Sequence, residues 1–283
     1  MRLISFDPLR TFHFPPHTPL KPSQAILHKQ EISEADWVLY PEFWQINMLT
    51  FGLKARIFPS LPTYLIGHNK IEMTRAFEAV VPENTPWTII LSNTPSHAES
   101  AWDQMPIPFV AKIPKSSMGE GVFLIEQRSD WLKYLELTDV IYVQEYLPID
   151  RDMRIVWIGD KIVGGYWRLQ SSNGFHNNVA QGGQVMPGPI PQAAAELVTK
   201  VATTLGIDHA GFDIAMVDNY PYILEFNRMF GSQGINSLLG DTTPVILDYL
   251  TRKLAEEEPP HPRTPKVVGG RSTKRRARRM RVA

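Results

Sequence analysis

A stretch near the end of the chain is built like a buried hairpin but carries acidic side chains. Residues 211–231 read GFDIAMVDNYPYILEFNRMFG, in which two apolar runs flank a short polar segment. That segment contains Asp218, Asn219 and Pro221, which are residue types that favour turns. The pattern predicts two antiparallel strands with charged residues inside their apolar runs.

Pairing across this turn brings oxygen-bearing side chains together. If the loop is centred near Asn219, Asp213 lies roughly opposite Glu225, because antiparallel pairing keeps the sum of partner numbers constant. Asn227 follows Glu225 by two residues and therefore points the same way. We expect these three side chains to converge on one face of the hairpin.

Two neighbouring carboxylates require a positive group between them, because they repel each other and are costly to desolvate. A hard divalent cation such as Mg²⁺ accepts carboxylate and amide oxygens, and it usually takes further ligands from water and nucleotide phosphates. The residues alone also allow a second interpretation, in which Asp213 caps a turn and Glu225 pairs with Arg228 or another surface cation.

The composition excludes several classes of site. A chain of 283 residues can hold more than one lobe, and its 43% hydrophobic and 20% charged residues are typical of an ordinary soluble protein. The absence of cysteine excludes disulfides, thiolate metal sites and cysteine nucleophiles. The N-terminal MRLISFDPLR has no signal-peptide pattern, and no apolar window reaches the ~18 residues of a membrane span. We expect a cytoplasmic protein without membrane contact.

The net charge of zero conceals a basic tail. All 29 acidic residues, but only 20 of the 29 basic ones, precede residue 263. A segment of this composition is predicted to be disordered by itself. It could bind nucleic acid, or it could be a solvated tail that adheres to the acidic body.

The periodicity predicts alternating strands and helices. Residues 1–66 contain short strand candidates between helical and proline-rich pieces, which suggests a small α/β lobe. The predicted strands are 2–6, 37–40, 55–58, 87–91, 109–113, 121–126, 140–146, 154–158 and 161–166, and the predicted helices are 70–81, 131–137, 193–205 and 244–257. Gly159 and Asp160 form a two-residue hairpin signal, and Gly206 is a helix C-terminal cap.

A lysine precedes a loop of small residues in PFVAKIPKSSMGEGVFLIE. Lys112 ends an apolar strand, and Ser116, Ser117, Gly119 and Gly121 follow before the next strand. Such a loop can fold over phosphates, to which it offers backbone N–H groups, hydroxyls and a point charge. The usual P-loop is excluded, because a strand follows where that motif has a helix. An ordinary hairpin loop is the alternative.

The order of these motifs resembles the ATP-grasp superfamily, and most closely the RimK-type and glutathione-synthetase-like carboxylate–amine ligases. The succession is Lys70 before a helix, the Lys112 loop, VQEYLPIDRDMRIVWIGDKIVGGYWR, GFHNNVAQGG and the acidic hairpin. The resemblance covers residues 66–255. It implies an α/β (α+β) chain with the ATP-grasp fold, in which a small N-terminal α/β lobe precedes two lobes that clamp ATP between antiparallel sheets. The implied division is 1–66, 67–258 and a basic tail at 259–283.

The resemblance also implies roles for individual residues. Lys70 and Lys112 would contact the ATP phosphates, and Ser117, Gly119 and Gly121 belong to the mobile lid at 115–121. The adenine linker would be Glu145, Tyr146 and Leu147, with Asp152 near the ribose and His176 and Asn177 beside the triphosphate. The catalytic set would be Arg154, Arg168 and Asn178, and the metal ligands Asp213, Glu225 and Asn227. The metal would be one or two Mg²⁺ ions, for which Mn²⁺ can substitute.

The activity implied by the resemblance is an ATP-dependent ligation through an acyl phosphate. The partners would be ATP, an amino acid or other carboxylate, and an amine on a peptide, a protein or a small molecule. Two alternatives stay open at this point. One is a non-catalytic nucleotide-binding module whose basic tail binds RNA or protein, and the other is an ATP-grasp kinase. The sequence is compatible with an oligomer.

Overall fold

The described residues form three sheets, and the second and third carry most of the side chains singled out by the sequence patterns. The structure is a computed structural model that describes residues 1–115, 121–169, 184–230 and 240–256. The predicted residues Ser116, Ser117, Gly119, His176, Asn177 and Asn178 and the basic tail lie outside these ranges. No helix among the described residues is long and apolar enough to cross a membrane.

The N-terminal lobe is a small parallel sheet with short helices. Its strands lie in the order β2-β1-β3-β4. They are β1 (Leu3–Ser5), β2 (Thr18–Pro19), β3 (Trp37–Leu39) and β4 (Ile57–Phe58), and the helices are α1 (Lys29–Glu34) and α2 (Leu61–Ile66). The predicted short strands are confirmed, although β2 falls in the proline-rich stretch for which no regular element was expected.

The second sheet is antiparallel and carries the lysine loop. Helix α3 (Lys70–Val80) leads into it, and its strands lie in the order β5-β8-β6-β7. The strands are β5 (Thr88–Ser92), β6 (Phe109–Lys112), β7 (Val122–Ile125) and β8 (Val140–Glu145), and the helices that cover it are α4 (Pro95–Gln104) and α5 (Arg128–Leu135). Helix α4 was missed by the sequence patterns.

The third sheet carries the acidic hairpin. Its strands lie in the order β11-β10-β9-β12-β13, and every paired neighbour is antiparallel. The elements are β9 (Arg151–Ile158), β10 (Lys161–Leu169), β11 (Gln184–Met186), α6 (Gln192–Leu205), β12 (His209–Val217), β13 (Tyr220–Asn227) and α7 (Thr243–Glu256). Gly206 ends α6 in the left-handed conformation at φ 69°, as its sequence position predicts.

The β12–β13 hairpin has the predicted turn and an irregularity in its pairing. Asp218 and Asn219 both have positive φ, which is typical of a two-residue type I′ turn. Val217 pairs with Tyr220, and regular pairing continues to Ile214 opposite Ile223. The register then shifts, so that Asp213 lies opposite Glu225, as the sequence predicts.

The two faces of the third sheet are covered differently. Strands expose alternate residues to opposite faces. One face carries Met153, Ile155 and Trp157 of β9, and these pack against α3 and α6. The other face carries Val156 and Ile158, which share a core with the N-terminal lobe and α7. Polar contacts cross the same boundary: Trp37 donates to the carbonyl of Leu250 at 3.2 Å, and the Ser60 amide donates to Asp208 at 2.7 Å. The lobe boundary near residue 66 stays a prediction.

His209 lies at this boundary. Its ring stacks on Phe230 at 4.5 Å and meets Tyr40 and Phe58 edge-on. Its Nδ1–H donates to the carbonyl of Arg228 at 2.7 Å. Burial lowers the pKa of His209 to about 4 despite that hydrogen bond.

We expect His209 to make folding sensitive to acid. The unfolded chain takes up a proton near the ordinary pKa of 6.5, whereas the folded chain does so only near 4. The contribution of His209 to the free energy of unfolding is therefore complete above pH 6.5 and falls by about 3 kcal/mol as the pH decreases to 4. Urea unfolding of the wild type and His209→Gln at several pH values measures this.

The neighbouring Asp208 contributes in the opposite direction. Burial raises the pKa of Asp208 to about 6, so its own contribution to stability decreases as the pH rises from about 4 to about 6. Because Asp208 is present in both proteins, the difference between wild type and His209→Gln isolates the histidine. A difference that stays constant between pH 7 and pH 4 would contradict the prediction.

Candidate active site

A row of charged side chains crosses the third sheet on its N-terminal-lobe face. Arg154 of β9 lies opposite Asp213 of β12, which in turn lies opposite Glu225 of β13. In the adjacent row, Arg168 of β10 lies opposite Asp152 of β9. Antiparallel pairing therefore places all five side chains on one surface.

Asp213 is held by both arginines. Arg154 donates to it through Nε and, at 3.0 Å, through Nη2. Arg168 donates through Nη2 to Asp213 at 3.0 Å and through Nε to Asp152 at 2.6 Å. Each of the four side chains is less than 10% exposed. Gly211 leaves room for this arrangement, because a Cβ at that position would lie 2.8 Å from Cδ of Arg154.

The network keeps Asp213 ionised. Burial alone would raise the pKa of Asp213, but the charges of Arg154 and Arg168 outweigh burial and hold that pKa below its ordinary value. The two carboxylates and two guanidinium groups are balanced in charge, which makes their burial tolerable. The idea that Asp213 caps a turn is therefore wrong, because its carboxylate pairs with arginines inside the sheet.

Two lysines approach the acidic hairpin from outside its sheet. Lys70 begins α3, whose N-cap Asn69 accepts from two backbone amides, and its Nζ lies 3.8 Å from Glu225. Lys112 ends β6, where its Nζ donates to Gln144 at 2.6 Å. The two elements are joined by the amide of Lys70, which donates to the carbonyl of Pro114 at 3.2 Å.

Lys112 is buried, and its charge is sensitive to its neighbours. Burial lowers the pKa of Lys112 to about 8; the carboxylate of Glu225 opposes this decrease, and Lys70 adds to it. Gln144 in turn donates to Thr88 at 2.9 Å, which fixes the amide that holds the ammonium group. Gln144 was not among the predicted site residues, although a glutamine inside the apolar run VIYVQE is a signal of a buried polar contact.

Glu225 and Asn227 line a cavity of about 440 Å³ between α2, α3 and the end of the hairpin. The lining consists of residues 67–70, 73, 114–115 and 225–229. It therefore contains Lys70 and Lys115 as well as the two predicted metal ligands, whereas Asp213 lies deeper, among the arginines. The structure thus brings Glu225 together with Lys70, not with Arg228.

Four other predicted positions lie at or beside the ends of strands of the second sheet, and Asp152 lies on β9 of the third sheet. Glu145 ends β8, and its carboxylate accepts from the amide of Trp87 at 2.7 Å. Tyr146 and Leu147 follow directly after the strand. The carbonyl of Gly121 accepts from the amide of Ile113 at 2.7 Å and closes the base of the lysine loop. Asp152 is turned toward Arg168, and its predicted contact with ribose stays a prediction.

Residues 80–249 match the model of the RimK-like ATP-grasp domain. A probable alpha-L-glutamate ligase of Citrobacter koseri is 29% identical over 157 residues, which are 53% of this chain and 52% of the relative. A ribosomal protein bS6–L-glutamate ligase of Escherichia fergusonii is 31% identical over the same length and the same shares of both chains. The chain thus matches about half the length of these curated relatives.

Solved structures show the same fold. The RimK domain ATP-grasp protein of Sphaerobacter thermophilus superposes with a TM-score of 0.67 at 13% identity, over 88% of this chain and 99% of that one. The D-alanine–D-alanine ligase of Bacillus anthracis gives 0.70 at 12% identity, over 91% and 100%. These likenesses confirm the predicted ATP-grasp fold with its antiparallel sheets. With the domain match covering more than half of its residues, the chain belongs to the RimK-like ATP-grasp family.

Proposed function

We propose that this protein is an ATP-dependent carboxylate–amine ligase. In the reaction, a carboxylate oxygen attacks the γ-phosphorus of ATP, ADP leaves, and an acyl phosphate forms. An amine nitrogen then attacks the acyl carbon, phosphate leaves, and the nitrogen loses a proton to give an amide. The observation that supports this best is the position of Lys70, whose Nζ lies 3.8 Å from Glu225 at a cavity that Asn227 and Lys115 also line.

The charge distribution suits phosphoryl transfer. That reaction depends on holding the two reacting groups in line and offsetting charge on the transferred group, more than on a covalent nucleophile. Lys70 and Lys112 come from different elements and supply positive charge near the hairpin. Arg154 is fixed by Asp213, and Arg168 is fixed by Asp152 and Asp213, so we assign both arginines to the phosphate and acyl-phosphate region.

The donor set of the hairpin suits a hard cation. Glu225 and Asn227 line the cavity, and their carboxylate and amide oxygens are ligand types that Mg²⁺ prefers. Asp213 is engaged by arginines: its Oδ2 accepts from both Arg154 and Arg168, whereas its Oδ1 accepts from Arg154 and keeps a second lone pair that can accept another ligand. The described residues contain no cluster of three or more His, Asp or Glu side chains that could hold a metal by themselves. Bound Mg²⁺ would offset charge on the ATP phosphates.

The names of the relatives suggest which amine to test first. Two are glutamate ligases, and one of them is named for a ribosomal protein substrate. We propose an amino acid, with L-glutamate as the first candidate, as one substrate and a carboxylate on a peptide, protein or small molecule as the other.

Replacement of Glu225 by Gln tests the metal and phosphate site. We expect Mg²⁺-dependent ADP release in the presence of both substrates to fall by about 10- to 100-fold, because a ligand that stabilises the transition state is lost. Stability should change by less than about 1 kcal/mol, since the ion pair with Lys70 is partly exposed. Steady-state release of ADP and phosphate, with panels of amino acids and peptides, measures the effect.

Glu78→Gln is the matched control, because Glu78 pairs with Arg75 on the surface of the same helix that Lys70 begins. This variant should keep the wild-type rate. An unchanged rate in Glu225→Gln would rule out the assigned role.

Mass analysis of the product separates the alternatives: a ligase releases phosphate, a kinase leaves it on the substrate, and a binding module forms no product.

Lys112 predicts a pH dependence of nucleotide binding. Phosphates bind the charged amine more tightly than the neutral one. The affinity of the protein for ATP is therefore highest below the Lys112 pKa of about 8 and decreases above it. We expect the Kd of ATP to rise roughly tenfold between pH 7 and pH 9, since each pH unit above the pKa costs about a factor of ten. Titration of a non-hydrolysable ATP analogue over this range measures the change.

Lys112→Met should bind the analogue more weakly and show a flat profile over the same range. A variant that keeps the wild-type slope would assign the pH dependence to another group, such as Lys70.

A further inference from the structure

Arg228 follows the predicted metal ligand Asn227 and lines the same cavity. Its guanidinium group lies over the rings of Phe43 and Tyr64, at 5.4 Å from each centroid. Its Nη1 donates to the carbonyls of Tyr64 at 3.4 Å and Gly67 at 3.3 Å. The N-terminal lobe therefore holds this cation in a defined orientation at the wall of the cavity.

Arg228 differs from Arg154, Arg168 and Lys70 in having no anionic partner among the described residues. Arg154 and Arg168 pair with Asp213, and Lys70 pairs with Glu225. Within the described ranges, no carboxylate lies at ion-pair distance from Arg228, and no acceptor is bonded to its Nε or Nη2. The side chain is half-buried, and burial lowers the pKa of Arg228 although Tyr64 and Glu42 oppose this.

The cavity offers an anion a favourable environment. Among the described residues, its lining contains three cations, Lys70, Lys115 and Arg228, and a single carboxylate, Glu225, which Lys70 already pairs with. Its volume of about 440 Å³ falls within the range of small-molecule sites, roughly 300–1,000 Å³. A planar guanidinium group with free N–H donors matches a carboxylate, which it can bind through two parallel hydrogen bonds.

We propose that Arg228 binds the carboxylate that is to be phosphorylated and holds it at the N-terminal-lobe wall of the cavity. The inference rests on the proposed ligase function and makes Arg228 a substrate-binding residue. Glu225 and Asn227 lie within three residues of Arg228 along the chain and line the same cavity, so the carboxylate would be held beside the groups assigned to the ATP phosphates. The two aromatic rings and two carbonyls fix the guanidinium group before the substrate arrives.

The test is a binding titration with matched pairs of probes. Protein loaded with Mg²⁺ and a non-hydrolysable ATP analogue is titrated calorimetrically with N-acetyl-L-glutamate and N-acetyl-L-alanine, and with the α-amides of both. We expect the wild type to bind at least one free acid about tenfold or more tightly than its amide. Arg228→Gln should lose this preference while its affinity for the ATP analogue stays within about twofold of wild type.

Arg228→Lys and Arg75→Gln complete the set. The lysine variant keeps the charge but not the two parallel hydrogen bonds, so we expect an intermediate affinity for the free acid; it also provides a folded protein if the glutamine variant is unstable. Arg75 is a surface arginine paired with Glu78, and its replacement should leave every affinity unchanged.

Several results would overturn the inference. One is an Arg228→Gln variant that keeps the preference for the free acid. Another is a variant that loses nucleotide binding and thermal stability to the same extent as carboxylate binding, because Arg228 would then only join the lobes.

The ligase proposal fails in a different way. It fails if the wild type forms no amide with any pair of substrates. Carboxylate binding that depends on Arg228 without amide formation would support the inference and reject the ligase. A wild type that neither binds a free acid nor forms an amide would reject both.

Discussion

The buried ion pairs of Asp213 with Arg154 and Arg168 are the interaction on which the rest of the site depends. Removing one member of such a network leaves an uncompensated buried charge, at a cost of about 3–5 kcal/mol. The residues therefore have to be kept together, and strands β10, β9 and β12 each contribute to the network. A slip of one residue in any of these strands would turn its charged side chains toward the face that α3 and α6 cover. The network thus fixes the register of the sheet that carries the candidate ligands.

The N-terminal lobe acts as one wall of the site. It shares an apolar core with the third sheet and α7, and its Arg10 donates to the carbonyls of Met229 and Phe230 at 3.4 and 3.3 Å. His209 binds the same segment from the sheet side. The backbone after Asn227 is therefore held from two directions. This explains why a side chain as long as Arg228 keeps a defined position beside the cavity.

Local sequence patterns predicted most of the strands and the longer helices, but they missed α4 and β2. The Asp218–Asn219 turn, the strand alternation and the Gly206 cap follow from short-range rules, whereas Lys70 and Lys112 were indicated by the family resemblance and their roles stay predictions. The pairing of Asp213 with Arg154 and Arg168 could not be predicted, because it depends on which strands become neighbours in a sheet whose order departs from chain order. The role of Arg228 depends on the N-terminal lobe, where no motif could be matched.

The irregularity in the β12–β13 pairing decides what the hairpin presents to the cavity. A regular hairpin closed by Asp218 and Asn219 would set Leu224 opposite Asp213, and Glu225 would then face the helices. The register shift leaves Leu224 without a partner in β12 and places Glu225 on the face that carries Arg154 and Asp213. Ile223 and Phe226, three residues apart, can both enter the core as a result. One additional residue in one strand therefore converts an ordinary amphipathic hairpin into one that has charged side chains on the face toward the N-terminal lobe and an uninterrupted apolar face on the other side.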